Sequence, residues 1–200
     1  MILEKIEDLN FCKHISEDGQ SSSSGITRRL SIITTSNDLM ECIDSSHTRS
    51  LLFFTNSDLL VYFANRIPTK YRLLKVLDHE SVQLLKVPKK LENLDHLKNT
   101  YISELPKDIS KLRKLRHLLG DELSLIQLKD GIGEMTSLQT LQTVDINGAV
   151  EVIKELGKLK QIRVLGLYVC AKYGSILSSS LNEMLHLEKL YVNVTSGDVL

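Results

Sequence analysis

The sequence predicts an α/β solenoid: a repeat array with a parallel sheet on its concave face and helical or irregular segments on its convex face. Three observations carry this. A short apolar template returns every twenty-odd residues along most of the chain. Each copy ends in two apolar slots separated by one residue, the spacing of one face of a short strand. The interior must also be aliphatic, because aromatics make up 5% of the 200 residues and Trp is absent.

From the N-terminus, Ile2, Leu3, Ile6 and Leu9 share one side of a short helix placed over residues 1–15. Residues 16–25, rich in Ser and Gly, read as a flexible linker. A repeat domain fills residues 26–200 and stops short of a complete last repeat. Arg29-Leu30-Ser31-Ile32 and Ser50-Leu51-Leu52-Phe53 are expected to be early, irregular strands, and Leu59 to Ala64 a helix on the outer face.

The template itself reads apolar, two residues, apolar, two residues, apolar, one residue, weaker apolar. Tyr71, Leu74, Leu77 and His79 meet it, then Leu91, Leu94, Leu97 and Asn99, then Leu112, Leu115, Leu118 and Gly120. Met135, Leu138, Leu141 and Thr143 follow, then Leu159, Ile162, Leu165 and Leu167, then Met184, Leu187, Leu190 and Val192. First positions are 20, 21, 23, 24 and 25 residues apart (91−71, 112−91, 135−112, 159−135, 184−159). All fall in the window of roughly 20–29 residues that leucine-rich repeats occupy. An amphipathic helix would show a 3.6-residue period without this super-period. Each strand should pair in parallel with the next, and the array should curve. Leu105-Pro106-Lys107-Asp108-Ile109 and Leu85-Lys86-Val87-Pro88 suit the return path, where no ladder hydrogen bond is needed. Residues 80–90 leave little room for a full return segment. His79, Asn99, Gly120 and Thr143 are poor fillers for inward slots.

Several stretches resemble one family. Thr27-Arg28-Arg29-Leu30-Ser31-Ile32, Ser46 to Phe54 and Leu73-Leu74-Lys75-Val76-Leu77-Asp78 resemble the start of the repeat domain in plant coiled-coil nucleotide-binding leucine-rich-repeat disease-resistance proteins. Ser103 to Ile109, Lys114 to Leu119 and Glu155-Leu156-Gly157-Lys158-Leu159 look like that family's middle repeats. Residues 1–15 are similar to the last helix of its nucleotide-binding module. The phosphate loop G-x-x-x-x-G-K-[ST] does not occur: Gly157-Lys158 is followed by Leu159 and lacks the glycine five positions earlier. The Met-His-Asp signature is missing too. The resemblance therefore implies a repeat-domain fragment lacking the nucleotide-binding module, with no cofactor.

Composition narrows the partners. Net charge is zero, with 25 basic and 25 acidic residues, so nothing in the overall charge draws nucleic acid or an anionic membrane. No apolar run approaches the roughly 18 residues of a membrane span. Cys12, Cys42 and Cys170 are odd in number and widely spaced, as free thiols in the cytoplasm would be. Chemistry is not expected. Cys12 and His14 are two ligands where zinc takes about four. Ser21–Ser24 lack a base at a recognisable spacing. Asp130-Gly131-Ile132-Gly133 reads as a turn. The basic run from Lys111 to His117 reads as a solvated face. Neither a catalytic residue nor a metal ligand is assigned.

What remains is the concave face. The template puts there Val76, Asp78 and Glu80; His96, Lys98 and Thr100; His117, Leu119 and Asp121; Thr140, Gln142 and Val144; Val164, Gly166 and Tyr168; and Lys189, Tyr191 and Asn193. Asp78, Lys98, Leu119, Gln142, Tyr168 and Tyr191 are the candidate partner-binding residues, with the tyrosines as anchors. The implied role is protein–protein recognition and autoregulation of an immune receptor. Its partner would be a pathogen effector, a guarded host protein or another receptor domain. The alternative is a cytosolic leucine-rich-repeat signalling scaffold unrelated to immunity.

Overall fold

The computed structural model describes residues 12–16, 19–20, 26–33, 47–54, 73–79, 94–99, 107–148 and 150–195. Their strands are β1 (Cys12–Ser16), β2 (Gly19–Gln20), β3 (Arg29–Ile32), β4 (Ser50–Phe53), β5 (Val76–His79), β6 (His96–Asn99), β7 (His117–Ser124), β8 (Thr140–Asp145), β9 (Val164–Cys170) and β10 (Lys189–Thr195). All belong to one sheet in the order β10-β9-β8-β7-β6-β5-β4-β3-β1-β2. Every neighbouring pair is parallel except β1 with β2.

The sheet forms because the leucines stack. Leu30, Leu51, Leu77, Leu97, Leu118, Leu141, Leu165 and Leu190 are direct partners along one unbroken ladder. From Leu30 to Leu165 each is at most 1% exposed. Behind this row lies a second, where Leu74, Leu94, Leu115, Leu138 and Ile162 are buried. The two-residue gap between the first and second template slots is a tight turn, not a helical step. The second slot's N–H donates to the first slot's carbonyl in Leu115→Leu112, Leu138→Met135, Ile162→Leu159 and Leu187→Met184.

In the two early repeats the second slot holds threonine: Thr27 and Thr48 are buried, and the Thr48 hydroxyl donates to the Thr27 carbonyl. A leucine-based template passes over these positions. The hydroxyl is tolerated in the core because it is bonded across the repeat boundary.

From β5 onward the steps between strands lengthen. The 21- and 23-residue steps (117−96 and 140−117) carry single 3-10 turns at Lys107–Lys111, Ile126–Leu128 and Ile132–Glu134. The 24- and 25-residue steps (164−140 and 189−164) carry α-helices, α1 (Val150–Leu156) and α2 (Gly174–Asn182). Ile109, Ile132, Val152, Ile153, Leu156 and Leu177 turn inward from these segments and close the core.

Three expectations are corrected. Residues 12–16 are a strand, not the end of a helix, and Ser16 and Gly19–Gln20 belong to a hairpin, not a linker. The reason is the ladder: β1 pairs in parallel with β3, and Ile15 is buried beside Ile32. Second, Thr143 does not fill an inward slot, and Val144 does not face outward. The β7–β8 register jumps from Leu119/Gln142 to Leu123/Val144, so Leu123 and Val144 take the inward places, each 0% exposed. Third, Gly120 is opposite Asn99 but precedes this irregularity, so the core is filled by Leu123 instead. Thr143 sits at φ 59°, the left-handed conformation of a residue stepping out of register. Burying aliphatic side chains outweighs the local backbone cost of about 1–2 kcal/mol.

The helix expected before residue 12, that at Leu59 to Ala64, the turn at Leu85 to Pro88, Leu105 and Pro106, residues 80–90, Glu80 and Thr100 lie outside the described residues, whereas Lys107 to Ile109 of the second proline stretch open the 3-10 turn at Lys107–Lys111.

Candidate functional site

The alternation of each strand sends the residues beside the buried leucines onto the concave face. Three rows cross it, with strands about 4.8 Å apart. The first contains Val76, His96, His117, Thr140, Val164 and Lys189. The second contains Asp78, Lys98, Leu119 and Gln142 as successive partners, and Tyr191 lies opposite Gly166. The third contains Ser124, Asp145, Tyr168 and Asn193.

The six sequence-predicted residues therefore occupy one face in two clusters. Asp78, Lys98, Leu119 and Gln142 form a continuous line across four strands. Tyr168 stands one row further on, beside Asp145 and Asn193, and Tyr191 rises from the last strand at 54% exposure.

Gln142 and both tyrosines meet around a depression of ≈190 Å³, lined also by Thr143, Gly166, Leu167 and Asn193. Two backbone features make it. The bulge at Thr143 crowds the sheet at Gly166, where a Cβ would come within 3.1 Å of the Thr143 nitrogen. A side chain there would press on the Thr143 backbone, so glycine is favoured by close approach, and its missing side chain leaves the gap. Sequence reading placed Gly166 on this face but not the hollow over it, because the bulge cannot be read from spacing.

His96 and His117 adjoin in the first row, their ring centroids 5.6 Å apart and tilted by 44°. A ring nitrogen of His117 lies 3.0 Å from the Thr140 hydroxyl. His14 similarly meets Ser31 at 3.3 Å. These are polar pairs between neighbouring repeats. Among the described residues, no group of three or more His, Cys, Asp or Glu could hold a metal. Nor is any helix there long and apolar enough to cross a membrane.

A charged ridge borders the face, and sequence reading missed it. Its residues immediately precede the strands: Arg28, Arg49, Lys75, Asp95, Arg116, Gln139, Arg163 and Glu188. Each N–H from Arg49 onward donates at 2.8 Å to the carbonyl of the preceding member, so the eight form one ladder. The two acids each pair with the cation one repeat earlier, Lys75–Asp95 at 3.2 Å and Arg163–Glu188 at 2.6 Å. Aligning the copies on their strands, not on their leucines, exposes this signal.

The same sense recurs on the convex side, where Arg113 pairs with Glu134 and Lys160 with Glu183, both at 2.9 Å. The Lys160 ammonium bonds the Glu183 carboxyl and, by hydrogen bond first and charge second, holds it below the usual carboxylate range. Lys111 is bonded to Asp108, so the basic run is partly neutralised in place. A groove of ≈650 Å³ between α1 and α2 includes Lys154, Lys158, Lys160 and Ile176. Lys158 there is paired with Glu155.

The profile of a family described as a leucine-rich repeat region matches residues 69–199. No curated protein matches the chain.

Proposed function

From the premise that the chain belongs to the leucine-rich-repeat family, we propose that it recognises a protein through its concave face, as part of an intracellular plant immune receptor. The carrying observation is the stack of aligned concave rows, which offers a partner one continuous surface across β5 to β10. Solenoid sheets of this kind bind extended surfaces, and exposed tyrosines are frequent anchors. The order of the motifs from Thr27 to Leu159, similar to that in plant disease-resistance receptors, supports the immune assignment. The partner is then an effector, a guarded host protein or another domain of the receptor. A cytoplasmic setting accords with Cys170, a buried free thiol. The chain binds; it does not catalyse.

The signalling-scaffold reading keeps the same face and differs only in what adjoins it. The family match is confined to repeats and serves both readings equally. A full-length transcript separates them: an upstream nucleotide-binding module supports the receptor.

The binding claim is tested by capture from infected and uninfected leaf extract. Tyr168→Ala with Tyr191→Ala should reduce partner recovery while the circular dichroism spectrum and urea midpoint stay near wild type. Unchanged recovery removes the concave face from the mechanism.

A further inference from the structure

The depression over Gly166 is too small for most organic ligands. Its ≈190 Å³ falls below the roughly 300–1,000 Å³ of small-molecule pockets. A hollow below that range suits one side chain better than a whole ligand. It is also built rather than incidental: a bulge with a left-handed Thr143 and a glycine where a Cβ would crowd the Thr143 backbone jointly shape it.

Its chemistry is specific. Every side chain around it is uncharged, and the polar ones are two amides, two phenols and a hydroxyl: Gln142, Asn193, Tyr168, Tyr191 and Thr143. A charged group entering would give up hydration with no counter-charge in the lining. An aliphatic group would cover amides and hydroxyls and leave them unpaired. A carboxamide avoids both penalties. It carries two N–H donors and a carbonyl acceptor, and Gln142 and Asn193 each offer the complementary pair. Its flat faces suit a gap flanked by phenol rings.

We propose that this depression is a carboxamide-reading subsite, which receives one asparagine or glutamine side chain of the protein partner. The proposal rests on the concave-face reading and adds what that face selects. Specificity follows from hydrogen bonding: an isostere without the amide leaves the lining groups unmatched.

The test uses the labelled 200-residue chain and three capped amino acids: N-acetyl-asparagine N′-methylamide and its aspartate and leucine counterparts. Two-dimensional amide spectra follow each titration. The asparagine probe should shift Gly166, Tyr191 and Asn193 saturably, with the other two probes at least about tenfold weaker. Asn193→Leu, on the exposed strand, should abolish the shifts while leaving the rest of the spectrum in place. Equal binding of aspartate or leucine overturns the proposal, as does an asparagine titration that moves no resonance around Gly166. If partner capture is lost in the tyrosine variants but the asparagine probe leaves Gly166 unmoved, the recognition face stands and the carboxamide subsite falls. If the probe binds but capture is unaffected by the tyrosines, the hollow binds carboxamides, but the recognition face falls and with it the claim that the hollow reads a partner's side chain.

Discussion

Single side chains in this array act across repeat boundaries. Leu118 contacts Leu97 on one side and Leu141 on the other in the ladder, and is 1% exposed. Leu118→Ala should cost about 2–5 kcal/mol in urea denaturation, because the cavity opens between two repeats that cannot both collapse into it. Asn147 ties three segments. Its amide oxygen accepts from the Cys170 N–H at 2.6 Å, its amide nitrogen donates to the Thr195 hydroxyl at 3.3 Å, and its own N–H donates to the Asp145 carboxylate at 2.8 Å. Asn147→Ala leaves the Cys170 N–H without this partner and should cost about 1–3 kcal/mol. The Lys160–Glu183 pair belongs to a different class. Glu183 is exposed, so solvent screens the bond and its energetic weight is small. The sign is still definite: a carboxyl whose folded pKa is lowered adds stability above its unfolded pKa and loses it as pH falls through the folded value. Carbon-detected titration should find Glu183 ionising below an ordinary glutamate, and Lys160→Ala should move it back up.

Strands and turns show where the template yields to packing. At β8 an inward threonine is avoided by moving Thr143 out of register and bringing Val144 in. A β-branched residue at φ 59° is strained, and Thr143→Gly should raise stability by about 1 kcal/mol. A smaller gain, or a loss, in chemical denaturation would mean that the Thr143 side chain is held by contacts worth more than the strain. β10 has a different character. Leu190, Tyr191, Val192 and Val194 are between 39% and 64% exposed, on a strand paired only with β9 among the described residues. Exposed apolar side chains on an edge strand are an association hazard, and Val192→Lys should lower self-association of the 200-residue chain in light scattering. β1 differs in that Lys13 occupies its leucine position and a short antiparallel β2 covers it.

At the scale of the whole molecule, contacts run mainly between neighbours, so stability should vary along the array. Amides of β7, β8 and β9, each paired on both sides, should exchange with solvent more slowly than those of β10. Uniform protection would show instead that the array opens as one unit. The zero net charge also conceals an arrangement: cations precede anions by one repeat in four pairs at three boundaries, Lys75–Asp95, Arg113–Glu134, and Lys160–Glu183 with Arg163–Glu188. All are surface pairs screened by solvent, so their common direction bears more on the alignment of repeats than on stability.

Local spacing determined the strand ladder, the parallel pairing and the concave face. A leucine three residues after another and two before a third fits a turn entering a strand wherever it occurs, and the copies stack because none can bury its apolar face alone. Asp78, Leu119 and Gln142 could be placed on one surface by that rule. Tertiary structure alone decided the rest. Whether Thr143 or Val144 faces the core depends on what Leu123 and Leu167 fill in adjoining repeats. The gap at Gly166 depends on the bulge that results, and the threonines in early second slots on a hydrogen bond to the repeat before. Residues 12–16 join the sheet because β3 presents an edge to them, although no leucine period announces it. Periodicity encodes what every repeat does alike; the departures are set by neighbours distant in sequence, which spacing within one repeat does not register.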